Sequence, residues 1–152
     1  MNEEPIIETG EYSLIDIRTS EVSITEGEIL EISVIKIKNG TIIERYQTVV
    51  RPTKPIDELV FHLTSISKEE LDNADTLDNI IPKVLQIIGD SIIVSHNAKV
   101  TYDVLKRKCE RLGVALDNKY MDLRDTSSKV HKLLYKTQLK FLYNTMRYIE
   151  EV

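Results

Sequence analysis

The chain has 152 residues, of which 41% are hydrophobic and 30% are charged, and its formal net charge is −5 at neutral pH. This composition favours one packed domain and excludes global disorder, while the single cysteine excludes an internal disulfide and favours a reduced, cytoplasmic setting. No apolar run approaches the roughly 20 residues of a membrane-spanning helix, so we expect no membrane insertion.

Residues 1–10 are predicted to be a loose lead-in to a single domain over residues 11–152. The first strand is predicted at about 11–17, where apolar and mostly β-branched residues surround Asp16. A carboxylate inside an apolar strand is costly unless it is paired or holds a metal. Asp16 is therefore interpreted either as part of a metal site or as a strand-end carboxylate paired with Arg18, because strand residues two apart share a face.

Two further strands are predicted at about 28–37 and 41–50, joined by a tight turn. The turn contains Asn39 and Gly40, and this dipeptide between β-rich runs is a strong signal for a hairpin because both residues accept positive φ. The second and third strands should therefore be antiparallel, with the first strand beside them.

The next segment, residues 56–74, is predicted to be irregular with one or two short helical turns. Ser67 and Glu70 have the spacing of a capping box, in which each residue's side chain bonds the other's backbone. A longer amphipathic helix begins at Leu77, where apolar residues recur at intervals of three and four, and Gly89 ends it.

A short buried strand is predicted over 91–95, followed by a helix at about 99–112 that Gly113 caps. Two more helices are predicted at about 124–135 and 137–149. Three strands, a helix, a strand and three helices predict an α/β fold with a mixed sheet flanked by helices. In such a fold the strand ends carry any functional site.

Several segments in this order resemble one known family. They are Ile29–Ile37, Asn39–Tyr46, Leu63–Ser67, Gly89–Ala98 and Glu110–Gly113. Together they resemble the DnaQ-like 3′–5′ exonucleases, the DEDDh group on the ribonuclease H-like fold, over roughly residues 11–146. The proofreading domains of bacterial replicative polymerases belong to this group.

The resemblance implies a particular chemistry. Four carboxylates of the family hold two divalent metals, which activate a water and stabilise the leaving oxygen of a phosphodiester. An Asp-x-Glu motif lies on the first strand, and a further Asp lies five residues after the histidine of a His-Asn-Ala segment. A histidine base and the fourth Asp lie near the C-terminus of the domain.

This chain departs from that pattern. Asp16 matches the first carboxylate, but Arg18 stands where the Glu of the first strand should be and Thr101 stands where the next Asp should be. His96 and Asn97 keep the His-Asn-Ala segment, in which the histidine is not the family's base. The chain ends before the last motif, so we expect the last family helix, its base and its fourth Asp to be absent.

We therefore predict a degenerate site with no catalytic residues and no cofactor; Mg²⁺ or Mn²⁺ would be expected only if this interpretation is wrong. Arg18 brings a fixed positive charge to a place where metals need concentrated negative charge. We expect Arg18 to occupy the vacated metal position and to pair with Asp16.

Three functions remain open. The first is a catalytically inactive module of the exonuclease fold that binds a protein partner or a second copy of itself in a nucleic-acid-processing context. A candidate surface for that contact comprises Tyr135, Tyr143, Met146, Tyr148 and Ile149.

The second function is nucleic-acid binding without cleavage. Residues 1–98 carry 18 acidic and 8 basic residues, whereas residues 99–147 carry 5 acidic and 12 basic residues. The basic half supplies candidate phosphate contacts. These candidates are Arg18, Lys99, Lys106, Arg107 and Arg111. The third function is an active 3′–5′ exonuclease whose missing ligands come from another chain or from a longer parent chain.

Overall fold

The computed structural model describes residues 10–20 and 28–123. Within these ranges the predicted strands and helices occur in the predicted order, together with two short strands that were not predicted. The strands are β1 (Glu11–Thr19), β2 (Ile29–Lys38), β3 (Thr41–Arg51), β4 (Asp75–Thr76), β5 (Ile92–Ser95) and β6 (Tyr120–Asp122). The helices are α1 (Glu58–Thr64), α2 (Lys68–Asp72), α3 (Leu77–Ile88) and α4 (Ala98–Arg111). Residues 1–9, the helices predicted at about 124–135 and 137–149, the tyrosine-rich surface predicted there and the question of a last family helix lie outside the described residues.

The six strands form one mixed sheet in the order β4-β3-β2-β1-β5-β6. β1, β2 and β3 are antiparallel neighbours, whereas β5 runs parallel to β1 and β6 runs parallel to β5. The α/β fold with a mixed sheet is therefore confirmed. Because β1, β5 and β6 are parallel, their C-terminal ends meet at one edge of the sheet, where functional side chains of such folds collect.

The turn between β2 and β3 confirms the predicted hairpin. Asn39 and Gly40 both have positive φ, at 52° and 78°. Two consecutive residues of this kind match the twist of a type I′ turn to that of the flanking strands. The pairing register shifts between Lys36 and Ile37, which marks a bulge close to the turn.

The side chains of β1 alternate between two cores. Ile15 packs into a large cluster that includes Ile81 of α3 and Leu105 of α4. Leu14 points the other way, into a cluster that includes Ile35 and other residues of the opposite face. Because residues two apart share a face, Asp16 and Arg18 lie on the face of Leu14, away from α3 and α4.

Residues 56–74 contain two short helices, and their ends explain why they form. Asp57 accepts a hydrogen bond from the backbone N–H of Leu59 at 2.9 Å and so caps α1. The predicted capping box of α2 is confirmed, since Ser67 accepts from the Glu70 backbone at 3.0 Å and Glu70 accepts from the Ser67 backbone at 3.2 Å. Leu71 of α2 packs with Leu30 at the start of β2, and α1 brings the Thr64 carbonyl to Arg18 of β1.

Two strands were not predicted, β4 and β6. β4 pairs with β3 through two residues and β6 pairs with β5 through three. Segments this short carry no periodicity, so only tertiary pairing makes them strands. In the described part of the chain, no helix is long and apolar enough to cross a membrane.

Candidate functional site

The end of β1 places Asp16 and Arg18 on one face of the sheet. Asp16 lies opposite Ser33 of β2, and Arg18 lies opposite Glu31. Asp16 is half-buried, whereas the other three side chains are buried. The hydroxyl of Ser33 has no hydrogen-bond partner among the described residues.

Arg18 is held by the backbone of α1. Its side chain is 7% exposed, and one guanidinium nitrogen donates to the carbonyl oxygen of Thr64 at 2.9 Å. Glu31, directly across the strand pair, also accepts a hydrogen bond from the amide of Gln47 at 3.0 Å. Directly opposite residues have side chains within about 5 Å at Cβ, so Arg18 and Glu31 face each other as opposite charges. The predicted pairing of Arg18 with Asp16 stays a prediction.

Thr101 occupies the first turn of α4, at the position where the resemblance places a carboxylate. Its side chain is buried, and its hydroxyl exchanges a hydrogen bond with the hydroxyl of Ser95 at 2.8 Å. This contact fastens the start of α4 to the end of β5. A neutral hydroxyl engaged in that way is a poor substitute for an ionised ligand of Mg²⁺.

His96 and Asn97 link β5 to α4, and both are exposed. Asn97 stands at the helix start, but its side chain makes no capping hydrogen bond. Asp122 supplies the cap instead, because its carboxylate accepts from the backbone N–H of Ala98 at 3.3 Å. The sequence analysis assigns no role to Asp122. An Asp that follows an apolar residue at the C-terminal end of a strand is nevertheless a candidate for helix capping or for a site at the strand ends.

The donors at this edge of the sheet do not fit the two-metal pair that the resemblance implies. Arg18 and Thr101 stand at two of the carboxylate positions, and both are committed to hydrogen bonds within the protein. Among residues 10–20 and 28–123, no three His, Cys, Asp or Glu side chains are grouped so that they could hold one metal ion. We therefore derive no chemical step through a metal from these residues.

The predicted phosphate-binding cations separate into two places. Lys99, Lys106, Arg107 and Arg111 lie along the exposed side of α4, from its first turn to its last. Arg18 is buried on the opposite face of the sheet. The geometry therefore groups the four α4 cations with one another and not with Arg18.

Two pairings on α4 define the electrostatics of this exposed side. Lys99 donates to Asp103 at 3.0 Å, and this hydrogen bond together with the charge of Asp103 raises the pKa of Lys99. The ammonium of Lys106 lies 5.9 Å from the ring centroid of Tyr102, within cation–π range. α4 also carries buried Cys109, whose pKa burial raises.

Comparison with known proteins gives matches over nearly the whole chain. The family model described as Exonuclease (RNase_T) matches residues 14–148. The PolC-type DNA polymerase III of Caldanaerobacter subterraneus is 31% identical over 133 residues, which are 88% of this chain and 10% of that protein. The PolC-type DNA polymerase III of Clostridium perfringens is 30% identical over 87% of this chain and 9% of that protein. The chain thus spans about a tenth of the length of these curated relatives.

Solved structures match at the level of the fold. The nuclease domain of 3′hExo, a DEDDh family member bound to rAMP, has a TM-score of 0.56 at 21% identity, over 70% of this chain and 61% of that chain. E. coli exonuclease I in complex with a dA16 oligonucleotide has a TM-score of 0.62 at 14% identity, over 76% of this chain and 28% of that chain. Both likenesses agree with a sheet of the ribonuclease H-like exonuclease type.

Proposed function

The chain belongs to the exonuclease family, and from that premise we propose that it is a non-catalytic member that works by binding a protein partner in a nucleic-acid-processing context. Residues 11–152 form its single domain in this proposal, and the reduced, cytoplasmic setting expected from its single cysteine is part of it.

The observation that carries the loss of catalysis is the position of Arg18. A buried guanidinium, bonded to the Thr64 carbonyl at 2.9 Å, stands where the family needs a metal-binding carboxylate. A carboxylate attracts a nearby divalent metal ion by several kcal/mol, whereas a guanidinium at the same position repels the ion by a similar amount. Thr101 supplies no compensating charge, so the local electrostatics favour an empty site.

The outer edge of β3 supports a protein-binding role. β2 pairs with β3 along most of its length, whereas β4 pairs only with Val50 and Arg51 on the outer side. Within the described ranges, Thr41–Val49 therefore present backbone groups that no second strand covers. An uncovered strand edge accepts an added strand from another chain, and Ile43 is 53% exposed on it.

A nuclease assay tests the loss of catalysis. The full chain is incubated with end-labelled single-stranded DNA and RNA in Mg²⁺ or Mn²⁺, beside an active exonuclease of the same fold as positive control. We expect no cleavage above that of Asp16→Ala, which removes the carboxylate that matches the family's first ligand. Cleavage that Asp16→Ala abolishes would contradict the proposal.

The double variant Arg18→Glu/Thr101→Asp separates two explanations of inactivity. It introduces carboxylates at two of the family's ligand positions and leaves the rest of the chain unchanged. We expect it to remain inactive, because two-metal catalysis also needs the base and the fourth carboxylate. Nuclease activity in this variant would show that other residues of the chain supply the base and the remaining ligands. Activity that arises only when another protein is added would instead favour an exonuclease whose missing ligands come from that protein. Mg²⁺ or Mn²⁺ would then be its cofactor.

Nucleic-acid binding is the second candidate function, and a specific feature favours it. The ammonium of Lys106 lies 5.9 Å from the ring centroid of Tyr102 on α4, and that ring packs against Tyr120 of β6. Positive charge beside aromatic rings is the combination that binds single-stranded nucleic acid.

A further inference from the structure

Tyr102 of α4 and Tyr120 of β6, the outermost strand of the sheet, form a pair of aromatic rings. Their centroids are 4.9 Å apart, and their planes are inclined by 30°. Tyr102 is nearly buried, and its hydroxyl donates to the carbonyl oxygen of Leu116 at 2.8 Å, which fixes the ring. Tyr120 is 44% exposed. A fixed ring therefore supports a second ring that offers part of its surface to solvent.

Two lysines, Lys99 and Lys106, flank Tyr102 along α4. Lys99 and Lys106 are seven residues apart on α4, so they project from nearly the same side of the helix at points separated by about 10 Å along its axis. The ammonium of Lys106 lies 5.9 Å from the centroid of Tyr102. Lys99 precedes Tyr102 by three residues, so the two side chains are neighbours on the surface of α4.

We propose that Tyr120, Lys99 and Lys106 form a binding site for single-stranded nucleic acid, in which a base stacks on Tyr120 and neighbouring phosphates contact the two lysines. Every base presents a π-face, and every linkage presents a negative charge, so such a site binds with little sequence preference. A peptide partner would need a wider apolar surface than one partly exposed ring. The proposal extends the second candidate function.

The site lies on a different face of the sheet from Asp16 and Arg18. Tyr102 packs in the same cluster as Ile15 and Ile93, on the face of the sheet that α3 and α4 cover. Asp16 lies on the other face. Binding at Tyr120 consequently does not depend on whether the chain can cleave nucleic acid.

Asp103 does not block this site. Its ion pair with Lys99 joins two exposed side chains, of which Lys99 is 72% exposed. Exposed pairs of this kind contribute little and are screened by salt. Lys99 can therefore exchange the Asp103 carboxylate for a phosphate oxygen without a large loss.

The chain contains no tryptophan, so one introduced tryptophan reports its own surroundings. Tyr120→Trp in the full chain places this reporter in the site, and Leu59→Trp places a matched reporter at a 61% exposed position on α1. The probe is oligothymidylate of roughly 12 nucleotides, a length within the range that stacking grooves cover. An abasic strand of the same length keeps the phosphates and removes the bases.

We expect oligothymidylate to quench the tryptophan at position 120 and not the one at position 59, and the abasic strand to quench neither. In binding measured by fluorescence anisotropy, Tyr120→Ala should weaken affinity roughly 5- to 100-fold, while Tyr120→Phe should retain most of it. Lys106→Ala should lower the slope of log K against log salt by about 0.7, unlike Lys68→Ala on α2.

Three results would overturn the proposal. One is unchanged emission at position 120 in the presence of oligothymidylate. Another is equal quenching by the abasic strand, which would mean that phosphates alone are bound. The third is an affinity for oligothymidylate that Tyr120→Ala and Lys106→Ala both leave intact. None of these results bears on cleavage, which the nuclease assay measures separately.

Discussion

Arg18 is a cation that the surrounding residues hold inside the protein. The Thr64 carbonyl accepts its hydrogen bond, and Glu31 faces it across the strand pair. A buried charge stays in place only when its partners compensate for the lost hydration. The local structure around β1, β2 and α1 therefore depends on the same residue that departs from the family's metal motif.

Replacing Arg18 tests this dependence at the scale of one residue. Arg18→Met should lower the free energy of unfolding by roughly 3–5 kcal/mol, because it removes the cation that faces buried Glu31. Arg45→Met, at an exposed position on β3, should change it by less than about 0.5 kcal/mol. Urea unfolding of both variants measures the difference. Equal stability of the two variants would mean that Arg18 does not compensate Glu31.

At the scale of elements, the start of β2 is tied to the segment that leaves β3. The carboxylate of Glu28 accepts hydrogen bonds from the backbone N–H of Thr53 at 2.6 Å, from its hydroxyl at 2.5 Å and from the backbone N–H of Lys54 at 2.9 Å. These bonds satisfy backbone groups that lose their sheet partners after Pro52, where the chain turns towards α1.

The pKa of Glu28 makes this tie sensitive to pH. Burial favours the neutral acid, but the hydrogen bonds from Thr53 and Lys54 outweigh it and hold the pKa of Glu28 below its usual value of 4.5. The folded pKa is the lower one, so the stabilisation is fully present above about pH 4.5 and is lost as pH falls through the folded pKa.

The variant Glu28→Gln tests this dependence. At pH 7 it should lower the free energy of unfolding by about 1 kcal/mol, a value reduced for the exposure of the group. Its difference from the unsubstituted chain in urea unfolding should shrink as the pH is lowered from 5 to about 3. Glu110→Gln, which changes the same charge at an exposed position on α4, serves as the control. A difference for Glu28→Gln that is constant with pH would rule out this ionic tie.

At the scale of the whole molecule, the sheet is covered unevenly. α3 and α4 pack on one face, and α1 and α2 cover the end of the other face near Arg18. The outer edge of β3 has a strand partner only at its last two residues within the described ranges. The bulge beside Ile43 interrupts that edge. Bulges of this kind limit non-specific strand pairing. The rest of β3 remains accessible to a specific partner strand.

Self-association through the edge of β3 is the simplest form of the proposed protein contact. Ile43→Lys should raise the dissociation constant of self-association by about tenfold or more, because it places a charge where apolar area would be buried. Leu59→Lys, which changes a similarly exposed side chain on α1, should leave it unchanged. Sedimentation velocity over a range of concentrations measures both. A chain that stays monomeric throughout would argue against self-pairing, and equal effects of the two variants would place the contact elsewhere.

Features that depend on neighbours in the chain were predictable. The Asn39-Gly40 turn follows from two residues that accept positive φ, and the capping box of Ser67 follows from a spacing of three residues. The periodic apolar face of α3 follows from helix geometry. The sequence also sufficed for the family and for the departures at Arg18 and Thr101, since these require only residue identity and order.

Features that join distant segments were decided by the tertiary structure. Arg18 meets Thr64 across 46 residues of sequence, and Asp122 reaches the start of α4 from 24 residues away. The stack of Tyr102 on Tyr120 requires β6 to pair beside β5, and β6 is too short to show a pattern of its own. The sequence alone therefore determined the fold class and the presence of Arg18 and Thr101 at two motif positions, because local propensity and residue type act along the chain. The anchoring of Arg18 and the packing of exposed Tyr120 on Tyr102 of α4 were decided only by the packed sheet. Through-space contacts of this kind depend on how strands and helices are arranged.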